Sequence, residues 1–85
     1  MTKVIMSTKL YETVAQIMDI HVTKINDKSS PETIESWDSF HALLLIDELE
    51  TKFNIKFTLD EVLNTKTVAD IKRNLLSHGV SLFDE

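Results

Sequence analysis

The scarcity of glycine and proline is the feature that most limits how this chain can fold. The sequence contains one Gly and one Pro. Hairpin-rich β proteins need many turn residues with positive φ, and Gly usually supplies them. Here Gly79 stands near the C-terminus and Pro31 lies in a polar stretch. The sequence therefore predicts an all-α protein in which both residues mark the ends of helices or loops.

Length and charge exclude several classes of protein. An 85-residue chain has room for one core, so residues 1–85 are expected to form a single domain. Nine Lys and Arg against fourteen Asp and Glu give a net charge of −5, which disfavours nucleic-acid binding and favours basic protein partners. There is no Cys for a disulfide or a cysteine zinc site. The longest apolar run, Ala42–Ile46, is too short to span a membrane, and Met1–Met6 lacks a signal-peptide core, so we expect a soluble cytoplasmic protein.

A first helix and a long loop are predicted for the N-terminal half. Apolar residues recur at helical spacing over about Ser7–Ile20 and form one stripe: Leu10, Val14, Ile17 and Met18. The polar stretch Thr23–Ser36 has no such period, and Pro31 disfavours helical geometry in the residue before it. Loops of this length are usually functional or disordered. Three apolar residues are the expected anchors of this loop to the core: Val22, Ile25 and Ile34.

The second predicted helix has a mixed outer face. It begins near Asp38–Ser39, since both residue types are favoured N-caps, and runs to about Phe53. At 100° per residue, its expected core face consists of Ala42, Ile46, Leu49 and Phe53, with Leu45 at the edge. The opposite side carries Phe40, Leu44, Asp47, Glu48 and Thr51. Two large apolar side chains therefore lie among acids where solvent is expected.

Two capping patterns predict the remaining helices. Thr58 and Glu61 have capping-box spacing at the start of a short third helix, and Thr67 precedes a fourth with Asp70 at N3. Gly79 is placed to end the fourth helix. The apolar residues of these helices are Leu59, Val62, Leu63, Val68, Ile71 and Leu75. The sum is a small four-helix bundle with three longer helices, one short third helix and a long first loop.

No catalytic constellation is visible. His21, His41 and His78 are far apart and match no metal-binding spacing, so we interpret them as surface or capping residues. There is no glycine-rich phosphate loop, and so short a chain has little room for a deep pocket, which argues against an enzyme. A small metal-binding protein that uses acids and histidines stays open as a minor alternative.

The start of the second helix could carry a phosphate. An ester phosphate on Ser39 would lie near unpaired N–H groups and the positive end of the helix dipole. Asp38 could support the reaction by sharing a divalent cation with the phosphate. The simpler interpretation is that Asp38 or Ser39 is only an N-cap and that Trp37 packs on the helix.

Several segments together resemble the acyl carrier protein family. Trp37–Phe53 is similar to its modification-site helix, which opens Asp-Ser-Leu and ends Glu-x-x-Phe. Phe57–Glu61 resembles the entry to the family's short third helix, and Thr67–Ile71 the Thr-Val opening of its last helix. Pro31–Thr33 is common before this site in free-standing bacterial carriers. The resemblance runs from about Leu10 to Leu76 in the right order.

The resemblance implies a carrier with a covalent arm. Ser39 would be the attachment site of 4′-phosphopantetheine, moved from coenzyme A by a phosphopantetheinyl transferase with Mg²⁺, and Asp38 would support it. The thiol of the arm would hold acyl, aminoacyl or polyketide intermediates as thioesters. The implied partners are a loading ligase or acyltransferase and synthases or transferases with basic docking surfaces; the carrier itself is expected to be a monomer. The expected partner-binding residues are Trp37, Phe40, Leu43, Leu44, Asp47 and Glu48, with Glu50 flanking them, and a bound acyl chain would lie near Leu45, Ile46, Leu49, Val62 and Ile71.

Three positions depart from the family pattern. Phe40 replaces the usual Leu, His41 a frequent Asp or Gly, and Leu44 an acid that fatty-acid carriers often bear. These changes favour a dedicated carrier of a specialised biosynthetic pathway, with peptidyl and D-alanyl carriers as alternative cargo classes. An unmodified helical adaptor that binds a partner through Phe40 and Leu44 also fits the exposed strip.

Overall fold

The computed structural model describes residues 8–80, which form four α-helices in the predicted order. The helices are α1 (Thr8–Met18), α2 (Ser39–Phe53), α3 (Leu59–Asn64) and α4 (Val68–Ser77), and a single 3₁₀ turn, Val22–Lys24, lies in the long first loop. Residues 8–80 contain no β-strand. The all-α, four-helix prediction with a short third helix is therefore confirmed.

Three of the four helices end with a residue in the left-handed conformation. These residues are Asp19 (φ 59°), Asn54 (φ 56°) and Gly79 (φ 84°). After α1, the Ile20 N–H donates to the Ala15 carbonyl at 3.0 Å, which closes a Schellman motif around Asp19. Asp and Asn tolerate this geometry better than other side chains, so a chain with one Gly can still end three helices sharply. The predicted stop at Gly79 is confirmed, whereas α1 ends two residues before the predicted Ile20.

The core forms where α1, α2 and α4 meet, and α1 and α2 pack on the loop residues between them. Leu10, Val14 and Met18 of the predicted α1 stripe are 0% exposed; the predicted start of α1 at Ser7 lies outside the described residues. The other large apolar residues of the core are Ile25, Ile34, Trp37, Leu45, Leu49, Val68, Ile71 and Leu75. Two of the three predicted loop anchors, Ile25 and Ile34, are thus confirmed. Val22 is 36% exposed and is no anchor, because it opens the 3₁₀ turn at the surface.

The orientation of α2 differs from the predicted one. Leu45, placed at the edge of the core face, is 1% exposed and lies at its centre with Leu49. Ala42, Ile46 and Phe53 are only half-buried. The reason is that α1 packs against one side of α2, whereas the short α3 leaves an open groove on the other side, where Ile46 lies.

The long first loop is tied to α4 and α1 by polar contacts. The Val68 N–H at the start of α4 donates to the Ser29 carbonyl at 3.1 Å. Asp27 accepts a hydrogen bond from the Tyr11 hydroxyl and pairs with Lys72 Nζ at 2.8 Å. Lys72 is the first cause that holds the pKa of Asp27 below its ordinary value, followed by Tyr11. The loop therefore has a defined path that carries the chain to the start of α2.

Candidate functional site

Ser39 is the exposed first residue of α2, and Asp38 is its N-cap. The Asp38 carboxylate oxygen Oδ1 accepts the backbone N–H of His41 at 2.9 Å, as an N-cap should. A group attached to the Ser39 hydroxyl therefore stands at the positive end of a 15-residue helix. The capping interpretation of Asp38 is confirmed, and the cap is what fixes the position of Ser39.

The segment that leads into α2 is held by a hydrogen bond to α1 and by a buried tryptophan. The Ser36 hydroxyl donates to the carbonyl of Met18, the last residue of α1, at 2.7 Å. Trp37 follows and is 5% exposed within the core. This burial corrects the placement of Trp37 among the surface residues of the partner-binding set: its indole anchors the helix start and is not available on the outer face.

The charge beside Ser39 stays negative at neutral pH. Two hydrogen bonds hold the pKa of the Asp38 carboxyl below its ordinary value, first from the backbone N–H of His41 and then from its ring. The ring nitrogen Nδ1 of His41 lies 2.8 Å from Asp38 Oδ1. A negatively charged carboxylate therefore lies next to the serine.

The outer face of α2 is formed by Phe40, Leu43, Leu44 and Asp47. Of the residues predicted on this side, all are exposed except Glu48, which is half-buried. Phe40 is 65% exposed, Leu43 64% and Leu44 40%, and Asp47 is also exposed. Such large apolar side chains in one strip are uncommon on a small monomer without a binding role.

The two other acids of α2 make contacts within the chain. Glu48 is half-buried and lies 3.8 Å from Lys52 Nζ, the i, i+4 pair that the spacing allows. Glu50 accepts the Phe57 N–H at 2.9 Å, and its side chain is 18% exposed. Glu50 thus joins α2 to the segment before α3 and is a structural residue, whereas Glu48 stays next to the outer face.

An apolar cavity of about 270 Å³ opens beside Ser39 between α2, α3 and α4. Ser39 and Trp37 lie at the α2 start of its lining, and the walls include Leu43, Leu45, Ile46, Val62 and Ile71. Four of the five residues expected near an acyl chain therefore line one cavity with the serine. Leu49 does not line it, because it is fully buried in the core.

Helix α3 forms the outer wall of this cavity, and polar contacts connect this helix to α4. Each residue of α3 is at least partly exposed. His78 after α4 contacts Glu61 of α3, Nε2 to Oε1, at 2.8 Å, and this contact is the main cause that lowers the pKa of Glu61. Asn74 of α4 donates to the Thr65 hydroxyl, also part of the lining, at 2.8 Å. No sequence pattern indicated these two contacts, which join residues 9 and 17 positions apart.

Each of the three histidines contacts a helix cap, a turn or another helix. His41 contacts the α2 cap, His21 accepts the Thr23 N–H at the 3₁₀ turn, and His78 pairs with Glu61. Within residues 8–80, the structure brings together no group of three or more side chains that could hold a metal ion. Over the same range, none of the helices has the length and apolar character needed to cross a bilayer.

The fold of this bundle is that of the acyl carrier proteins. Among solved structures, the chain is similar to a Mycobacterium tuberculosis protein described as "a putative acyl carrier protein", with a TM-score of 0.76. The two are 24% identical, and the match covers 85% of this chain and 96% of the other. No model of a known protein family matches the sequence, and no curated protein matches it. The likeness shows the fold, and the role of Ser39 has to be argued from the site.

Proposed function

We propose that this protein is a non-catalytic carrier that holds acyl, aminoacyl or polyketide intermediates as thioesters on a 4′-phosphopantetheine arm attached to Ser39. The observation that carries the proposal is the position of this serine. Ser39 is exposed at the first position of α2, next to a capping carboxylate, and it lines an apolar cavity. The likeness of the fold to that of an acyl carrier protein supports the proposal.

The residues present fit the covalent arm. The hydroxyl of Ser39 is accessible to a transferase, and the first-turn N–H groups of α2 favour a phosphodiester there. In the modification, Ser39 Oγ bonds to the phosphorus that bears pantetheine, adenosine 3′,5′-bisphosphate leaves coenzyme A, and the hydroxyl proton passes to the transferase. When bound, the arm supplies a thiol that holds the cargo as a thioester.

The outer face of α2 supports contact with partner enzymes. Phe40, Leu43 and Leu44 give it apolar area, and Asp47 gives it negative charge, with Glu48 at its side. Acids on one partner and basic residues on the other speed the encounter of two proteins. We infer that a phosphopantetheinyl transferase, a loading ligase or acyltransferase, and a synthase or transferase each approach through this face.

The cavity and the outer face also bear on the cargo. The apolar walls of the 270 Å³ cavity suit a short hydrocarbon chain better than a charged one. Leu44 lies where a fatty-acid carrier often has an acid, so we infer a dedicated carrier in a specialised pathway, with a peptidyl or D-alanyl carrier as the alternative. The protein would work as a cytoplasmic monomer and act by tethering, because a bound intermediate has a high local concentration.

Intact-mass spectrometry tests the attachment. The purified chain is incubated with coenzyme A, Mg²⁺ and a broad-range phosphopantetheinyl transferase, beside a known carrier as a positive control. We expect a gain of one phosphopantetheine that is lost in Ser39→Ala. Ser77→Ala, a change at another exposed serine, should keep the gain. The proposal fails if the folded chain gains no mass while the known carrier is fully modified.

A second candidate function rests on the exposure of Phe40 and Leu44. An unmodified adaptor would bind a partner through this strip and need no arm. The same experiment separates the two, since an adaptor gains no mass at Ser39. For an adaptor, Ser39→Ala would leave partner binding in the native cell unchanged, whereas Phe40→Ala would weaken it.

A further inference from the structure

One side chain, His41, contacts both residues that flank Ser39. Its Nδ1 lies 2.8 Å from Asp38 Oδ1, and its ring meets the Phe40 ring edge-on, with centroids 5.5 Å apart at 82°. Since a carboxylate can only accept a hydrogen bond, Nδ1 of His41 carries the proton. A single imidazole thus restrains the group before the serine and the group after it.

These contacts exceed what the helix needs. The backbone N–H of His41 already donates to Asp38 Oδ1 at 2.9 Å, and this bond alone caps α2. Phe40 is 65% exposed and the Asp38 side chain 61%, so without the ring Phe40 could sample several rotamers and Asp38 would keep only its bond to the backbone. Fixing such side chains before an encounter lowers the entropy that binding must otherwise lose.

We propose that His41 is a positioning residue for the modification of Ser39: its ring holds the Asp38 carboxylate and the Phe40 ring in the orientation that the modifying enzyme binds. The inference rests on the proposed carrier function. His41 is also one of the departures from the carrier pattern, so the arrangement belongs to this chain.

Three substitutions separate the two contacts. His41→Ala removes both, His41→Gln keeps a donor for Asp38, and His41→Phe keeps an aromatic ring for Phe40. Arg73→Ala is the matched control, because Arg73 also pairs with a carboxylate three residues before it, that of Asp70, but is exposed on α4 and does not line the cavity. For each variant, KM and kcat of the transferase for the carrier are measured with saturating coenzyme A, and folding is checked by circular dichroism.

We expect His41→Ala to raise KM about fivefold, the size expected for one hydrogen bond, with kcat unchanged. His41→Gln should restore most of the loss and His41→Phe part of it, whereas Arg73→Ala should match the unsubstituted chain. Restoration by either variant supports the proposal, since a purely structural role would change the melting temperature and leave KM alone.

Two results overturn the inference while the carrier function stands. One is a KM for His41→Ala equal to that of the unsubstituted chain, and the other is a raised KM that neither Gln nor Phe restores. If the unsubstituted chain gains no phosphopantetheine while a known carrier does, the carrier function fails and this inference fails with it.

Discussion

Replacing Leu49 by alanine should remove a large part of the stability of this protein. Leu49 is 0% exposed and lies at the centre of the α2 core face. Truncating a fully buried Leu costs about 2–5 kcal/mol, from lost transfer free energy and from the cavity left behind. At roughly 0.05–0.15 kcal/mol per residue, a chain of this size has a total of only about 4–13 kcal/mol. We therefore expect the melting temperature to fall by at least about 8 °C.

Leu43→Ala is the matched control for this prediction. Leu43 lies on the same helix but is 64% exposed, so its truncation should change the free energy of unfolding by no more than about 0.5 kcal/mol. Urea denaturation followed by circular dichroism gives both values, with the m-value as a check on two-state unfolding. Equal losses in the two variants would mean that α2 is rotated from the described orientation. The reasoning about which residues of α2 face partners would then be refuted.

Three further changes probe the caps and the loop. Gly79→Ala should cost about 1 kcal/mol in urea denaturation, because φ is 84° while an added Cβ would meet no described atom within 4 Å; no loss would contradict a left-handed stop. Thr58→Ala should cost about 1 kcal/mol by removing the α3 cap, and Thr58→Ser should restore most of it. The exposed pair of Asp27 and Lys72 should contribute less than about 1 kcal/mol. Because the folded pKa of Asp27 is lowered, that contribution is present above the ordinary value of 3.8 and is lost as the pH falls through the folded pKa. The difference between Asp27→Asn and the unsubstituted chain should thus shrink between pH 5 and pH 2, and a constant difference would contradict the ion-pair account.

Local signals predicted the helix starts well. Both capping boxes form as their spacing indicated, with Thr58 accepting the Glu61 N–H at 3.1 Å and Thr67 accepting the Asp70 N–H at 3.2 Å. These bonds join residues three apart, so the sequence contains all that is needed to foresee them. Asp38 and His41 are also three residues apart, and their contact could have been predicted from this spacing.

Tertiary packing determines the features that the sequence patterns did not predict. The rotation that buries Leu45 and leaves Ile46 at the cavity depends on how far α3 covers α2, which no periodicity within α2 records. Glu50 looked like a surface acid, but a backbone N–H seven residues away turns it inward. The contact of Glu61 with His78 spans 17 residues and needs two helix ends to meet.

The two sides of α2 separate stability from the proposed recognition of partners. Leu45 and Leu49 bind the helix to the core, whereas Phe40, Leu43 and Leu44 are at least 40% exposed. Substitutions on the outer face therefore carry little cost in folding free energy, so this face can change almost independently of the core. Two departures from the acyl-carrier pattern, Phe40 and Leu44, lie on this outer face. The third departure, His41, lies beside the cap, where one side chain can orient both neighbours of Ser39 without adding to the core.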